Sequence, residues 1–115
     1  MKMILAVIQP TKLRAVQEAL FKVGVERITI SDSQEFVEAE EPVIGGRANE
    51  YSARIHRKIT LEIAVNDDFV DKTIATICEV AKTGTLGNDG DGKIFVLPLG
   101  EAIQFSPETR GQSAI

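Results

Sequence analysis

The sequence predicts an α+β domain of the ferredoxin-like kind: a βαββαβ order folding into a four-stranded antiparallel sheet with two helices on one face. Three observations predict it. Two stretches carry apolar residues at helical spacing, and each runs into a glycine. Four short apolar or alternating stretches surround them in the order strand, helix, strand, strand, helix, strand. The whole chain has 115 residues, the size of one domain.

The elements follow in order. Residues 3–8 (MILAVI) are wholly apolar and read as a strand buried on both faces. Pro10 ends it, and Thr11 is placed to cap the helix that follows. Over 12–23 the apolar residues Leu13, Val16, Leu20 and Val23 form one helical face, and Gly24 stops it. Residues 27–33 (RITISDS) alternate, as a half-exposed strand does. Residues 58–65 (KITLEIAV) also alternate, with Ile59, Leu61, Ile63 and Val65 on one side and Lys58, Thr60 and Glu62 on the other. Asn66, Asp67 and Asp68 supply helix-capping chemistry. The second helix runs to about Thr83 with Val70, Ile74, Ile77, Cys78 and Ala81 on its core stripe, and Gly84 ends it. Residues 93–97 are the last clear strand, 101–105 add a short edge strand, and the tail from Ser106 is irregular.

Right-handed crossovers put the first and third strands side by side in the middle of the sheet. Two helices cover only one face, yet strands one and four are apolar on both. A second copy of the chain is the simplest cover, which predicts an oligomer with facing sheets. The alternative is a monomer with its tail folded across that face.

Two connections stand out. Residues 36–57 form a link longer than compact domains commonly use, and such links are functional or disordered. This one begins acidic (Glu38, Glu40, Glu41), turns at Gly45-Gly46, carries the only tyrosine, Tyr51, and ends basic (Arg54, His56, Arg57, Lys58). It reads either as a docking loop or as a hairpin of solvated charges. The other is TGTLGNDGDGKIFV, residues 83–96, where a glycine-rich loop runs into a strand. Successive backbone N–H groups in such a turn can form an anion-binding nest, with Lys93 beside it as a point charge. The plainer reading is a flexible turn.

Composition narrows the function. A net charge of −4 argues against nucleic acid as a partner. No apolar run reaches membrane-span length, so no direct membrane insertion is expected. The first residues lack a secretory pattern, and the single cysteine, Cys78, permits no intrachain disulfide, which points to the cytoplasm. Cys78 on a helix stripe reads as a small buried hydrophobe, and His56 as a surface residue. No metal cluster and no catalytic set can be assembled from them. NDGDG lacks the spaced carboxylates and closing glutamate of an EF-hand.

The chain resembles the PII signal-transduction proteins, also called nitrogen regulatory protein P-II, over almost its whole length. The likeness rests on Pro10-Thr11-Lys12-Leu13, Leu20, Val23, Gly24, Thr29, Phe36, Arg47, Glu50-Tyr51, Lys58 with residues 59–68, Thr83-Gly84, the run Gly90-Asp91-Gly92-Lys93-Ile94-Phe95-Val96, and Ala114-Ile115. The resemblance implies one PII-like domain over 1–115. It implies a homotrimer that binds adenine nucleotides in the clefts between subunits. A long T-loop (36–57) would dock into a membrane transporter or a metabolic enzyme. The B-loop would be 84–92 and the C-terminal tail 99–115. Carried over residue by residue, Gly87, Gly92 and Lys93 would meet phosphate, and Thr29, Glu62 and Ala64 would stand near the adenine. Lys58 would bond a 2-oxoglutarate carboxylate. Tyr51 stands where some bacterial members are uridylylated, and Asn49 replaces a serine that some cyanobacterial members phosphorylate.

The chain also departs from that pattern. Glu38 and Ala39 stand where the family has an arginine and then a glutamine, so a charge is reversed and a ligand for magnesium and 2-oxoglutarate is missing. Gln104 and Ser106 align with two phosphate-binding arginines, leaving Arg47 or Arg110 to compensate. Extra residues around Asn88-Asp89 add a carboxylate to the B-loop. These changes weigh against joint Mg-ATP and 2-oxoglutarate sensing and favour ADP or AMP, with ATP or another small anion as alternatives and no obligatory cofactor. The expected function is a non-enzymatic regulator with no catalytic residue, acting in nitrogen metabolism. The alternatives are a divergent PII-like regulator of bicarbonate, carboxysome or metal transport, or a nucleotide-hydrolysing enzyme.

Overall fold

The opening apolar run forms strand β1, Lys2–Ile8, in a computed structural model that describes residues 1–37 and 55–115. Ile4, Ala6 and Ile8 are buried on one side of β1, and Met3, Leu5 and Val7 are half-buried on the other. A single 3-10 turn, Pro10–Lys12, leads into helix α1, Leu13–Lys22. Val16 and Leu20, one turn apart, are its fully buried residues. Thr11 does not cap this helix. Gln9 and Lys12 hold the two cap positions without side-chain bonds, and Pro10 starts the turn with its preset φ.

Strands β2, Thr29–Phe36, and β3, Ile55–Val65, both run further toward the long connection than their alternation predicts. Their ladder continues to the pair Phe36–Ile55. Backbone pairing carries this extension, helped by the Arg57–Asp32 ion pair at 3.0 Å. Within β3, Ile59, Leu61, Ile63 and Val65 all point to the core, as the alternation requires.

Helix α2, Asp67–Ala81, buries Thr73, Ile77 and Ala81, with Val70 and Ile74 at the edge of the stripe. Cys78 is exposed, not a buried hydrophobe. It lies one residue past Ile77, and a step of about 100° turns it off the stripe. The stripe instead includes a threonine. The Thr73 hydroxyl donates to the Phe69 carbonyl one turn back at 2.7 Å, so its burial leaves no polar group unpaired. Asn66 occupies the N-cap position, but its side chain makes no cap bond and donates to the Gln112 carbonyl at 3.3 Å instead. The helix ends at Ala81, two residues earlier than expected, because Thr83 turns both its N–H and its hydroxyl to Asp91.

Strand β4, Gly92–Pro98, completes an antiparallel sheet of order β2-β3-β1-β4. The first and third strands stand in the middle, as the crossover rule predicts. Both helices lie over the face that carries Ile4, Ala6, Ile8, Ile59, Leu61 and Ile63. The tail is more regular than expected. Strand β5, Ile103–Gln104, does not join the main sheet; it pairs with β6, Thr109–Arg110, and the 3-10 turn Gly111–Ala114 follows. Arg110 closes this ribbon on Glu101 at 2.8 Å, and the Gly111 N–H donates to the Ala102 carbonyl at 2.9 Å.

Cross-strand partners point to the same side of a sheet. Leu5 therefore shares the helix-free face with Phe95 and Glu62, Val7 with Lys93, and Met3 with Ala64. Toward β2 the same face carries Thr29, Ser31, Ser33 and Thr60. One half is apolar and the other polar. The tail does not cover it: Phe95 keeps 52% and Leu97 43% of its surface exposed. Ala114 and Ile115 reach the corner at Met3, Thr29, Glu62 and Ala64.

Candidate functional site

The glycine-rich loop between α2 and β4 is built around one carboxylate. Asp91 Oδ2 accepts the backbone N–H of Thr83 at 2.7 Å and that of Asn88 at 2.9 Å, and its Oδ1 accepts the Thr83 hydroxyl. The Thr83 hydroxyl above all, then the two N–H groups, holds the Asp91 carboxyl below the usual aspartate value. Two donors of the predicted anion nest are thus taken up from inside the chain. Asn88 closes the turn, its side-chain oxygen accepting the Gly90 N–H at 3.0 Å and its carbonyl accepting the Asp91 N–H at 3.1 Å.

Lys58 pins this loop from below. It is only 5% exposed, and its Nζ donates to the Gly90 carbonyl at 2.6 Å. Gln9 adds a second, longer bond to the same oxygen at 3.3 Å. The side chain singled out as an effector ligand therefore joins strand β3 to the loop.

The predicted residues fall into two groups. Gly87, Gly92 and Lys93 line a groove of about 620 Å³ under the loop, whose floor is Ile74, Ile77 and Ile94. Gly92, with φ of +140°, is required by packing as well as by any ligand: a Cβ there would stand 1.9 Å from the Val7 carbonyl oxygen. Gly87, with φ of +70°, would set a Cβ 3.1 Å from Asp91 Oδ2. Thr29, Glu62 and Ala64 line a separate concavity of about 200 Å³ with Met3, Arg27 and Ile115. One subunit does not bring the two groups into a single cavity. The groove offers loop backbone and an apolar wall, the smaller concavity a carboxylate and strand backbone, while Lys93, paired with Val7, turns its side chain to the helix-free face that also carries Glu62.

The remaining candidates are accounted for plainly. Arg110 faces Glu101 and Glu108, at 2.8 and 3.7 Å, rather than either concavity. Gln104 Nε2 donates to the Ser106 and Pro107 carbonyls within its own turn, each at 3.4 Å. Tyr51, Arg47, Glu38, Ala39 and Asn49 lie outside the described residues. Among the described residues no group of three or more His, Cys, Asp or Glu side chains could hold a metal ion, and no helix is long and apolar enough to cross a membrane. Sequence reasoning missed the part played by Asp91 and Asn88. Asparagine and aspartate between glycines is a turn signal that could have located both.

Residues 1–109 match the family described as nitrogen regulatory protein P-II. The chain is 42% identical over 118 residues to nitrogen regulatory protein GlnK1 of Methanosarcina mazei, covering 100% of this chain and 97% of that protein. It is 36% identical over 115 residues to nitrogen regulatory protein P-II of Azospirillum brasilense, covering all of both. Its fold is similar to that of Arabidopsis thaliana PII in a crystal structure bound to citrate, with a TM-score of 0.79 and 32% identity over 99% of this chain and 91% of that one. A sheet of this order, a glycine-rich loop ending in Gly-Asp-Gly-Lys and a match over nearly the whole length lead to one conclusion: the chain belongs to the nitrogen regulatory protein P-II family.

Proposed function

We propose that this protein is a non-enzymatic, trimeric regulator that binds a phosphate-bearing adenine nucleotide between subunits and signals through residues 36–57 to a transporter or a metabolic enzyme. The observation that carries this reading is the separation of the two groups of site residues. Gly87, Gly92 and Lys93 line one groove, and Thr29, Glu62 and Ala64 line another. Half-sites of this kind are completed when a neighbouring copy supplies the other half. The uncovered apolar half of the sheet, with Leu5, Phe95 and Leu97, supports such a neighbour. Lys93, on the helix-free face beside Val7, supplies a point charge for phosphate, and Glu62 a hydrogen-bond acceptor for the exocyclic amine of adenine.

The effector is ADP or AMP in preference to Mg-ATP with 2-oxoglutarate. Two features support this. Ala39 has no side-chain oxygen to hold magnesium. Lys58, the residue for the 2-oxoglutarate carboxylate, is engaged by the Gly90 carbonyl. A PII protein of known structure holds citrate, so a carboxylate anion belongs among the ligands tried. Calorimetry with ADP, AMP, ATP with magnesium, 2-oxoglutarate and citrate tests the reading. ADP or AMP binding that 2-oxoglutarate does not strengthen is expected. Tight Mg-ATP binding strengthened by 2-oxoglutarate would overturn the effector assignment, and sustained nucleotide hydrolysis lost in Lys93→Ala would overturn the regulator.

A further inference from the structure

We propose that Asp91 is the positioning residue of the phosphate-facing loop, its carboxylate holding the backbone at Thr83 and Asn88 so that the loop stands ready-shaped before a ligand arrives. The inference rests on the nucleotide reading above and adds a residue to it.

The argument starts from entropy. A segment with glycines at 84, 87, 90 and 92 has wide conformational freedom, and a ligand that must order it loses affinity in doing so. Ordering the loop beforehand removes that cost from the binding step. The carboxylate supplies the means. It accepts hydrogen bonds from two backbone N–H groups, five residues apart in sequence, and from one hydroxyl. Bonds to an ionised acceptor are the stronger kind.

Three further features agree. Asn88 closes the turn onto Gly90 and Asp91. Gly87 is folded against the carboxylate so closely that any side chain there would crowd Asp91 Oδ2 at 3.1 Å. Lys58 and Gln9 anchor the loop at Gly90, next to Asp91, so the carboxylate works from a fixed point. Its charge is turned inward to these donors, and Lys93 follows two residues later in β4, lining the groove.

The test uses the full-length protein and the neutral isostere Asp91→Asn, with Asp91→Ala as a second variant. Amide hydrogen exchange on the ligand-free protein reports the loop, and calorimetry with ADP reports the site. Titration with adenosine, followed by NMR, reports the same pocket without phosphates. The expected result is faster exchange at Thr83 and Asn88 and ADP binding weakened by at least about tenfold. Adenosine binding and exchange in the sheet stay as in the wild type. A role confined to general stability predicts equal losses for ADP and adenosine, and that outcome overturns the proposal. So does unchanged or tighter ADP binding by either variant that folds. Wild-type protein that binds no ADP would instead refute the nucleotide reading itself, and the proposal with it.

Discussion

Replacing Gly92 by alanine perturbs the one point where the site and the sheet share an atom's worth of space. The added Cβ would stand 1.9 Å from the Val7 carbonyl oxygen, where real contacts stay beyond 3.0 Å. Strand β4 must therefore move by about 1.1 Å from β1, or the residue must leave its φ of +140°. Backbone strain of this kind costs about 1–3 kcal/mol. Loosening a ladder bond at the Gly92–Ile8 pair adds about 1 kcal/mol. The sum is about 3 kcal/mol, and for 115 residues that lowers the melting temperature by about 12 °C. Urea unfolding followed by circular dichroism, at one fixed protein concentration, measures it. A Gly92→Ala protein within about 0.5 kcal/mol of wild type would refute the reasoning, because an ordinary surface substitution costs no more than that.

Other expectations concern the core, the acid limb and the open face. Leu61 is completely buried in the central strand β3, so Leu61→Ala should cost about 2–5 kcal/mol in the same urea experiment. The Asp91 carboxyl is held below its ordinary value, so its stabilising contribution is present above the unfolded aspartate pKa of about 3.9 and disappears as pH falls through the lower folded value. Urea midpoints of wild type and Asp91→Asn should differ most above the unfolded value and draw together as pH falls below it; a difference independent of pH would contradict that sign. Leu5→Asp places a charge at the centre of the apolar half of the helix-free face, opposite Phe95. If the proposed trimer forms through this face, light scattering should then report a shift toward monomer, and an unchanged oligomer would remove that face from the interface.

The sheet was legible because its signals are local and agree with one another. Alternation at Ile59, Leu61, Ile63 and Val65 fixes the inward face of β3, and the order of periods fixes the strand order. The misses have physical causes. Thr73 is buried because its hydroxyl bonds back to Phe69, something hydropathy cannot register. Cys78 sits one helical step off the stripe, which a count of apolar residues does not resolve. The β5–β6 ribbon is held by an ion pair and backbone bonds, with little apolar pattern to announce it. The candidate site was legible as a set of residue types, glycines with a lysine. Its frame was not, because Asp91, Asn88 and Lys58 act through bonds to backbone atoms that are distant in sequence or folded back on themselves.

A composite cleft between subunits can be tested by complementation. Lys93→Ala and Glu62→Ala would each be assembled alone, then co-assembled in equal amounts, and titrated with ADP. If one subunit supplies Lys93 and its neighbour supplies Glu62, each variant alone fails to bind, and random mixing restores about a quarter of the wild-type sites. A mixture that binds no more ADP than the two variants apart would place both residues in one subunit's site, or in none, and would contradict the account.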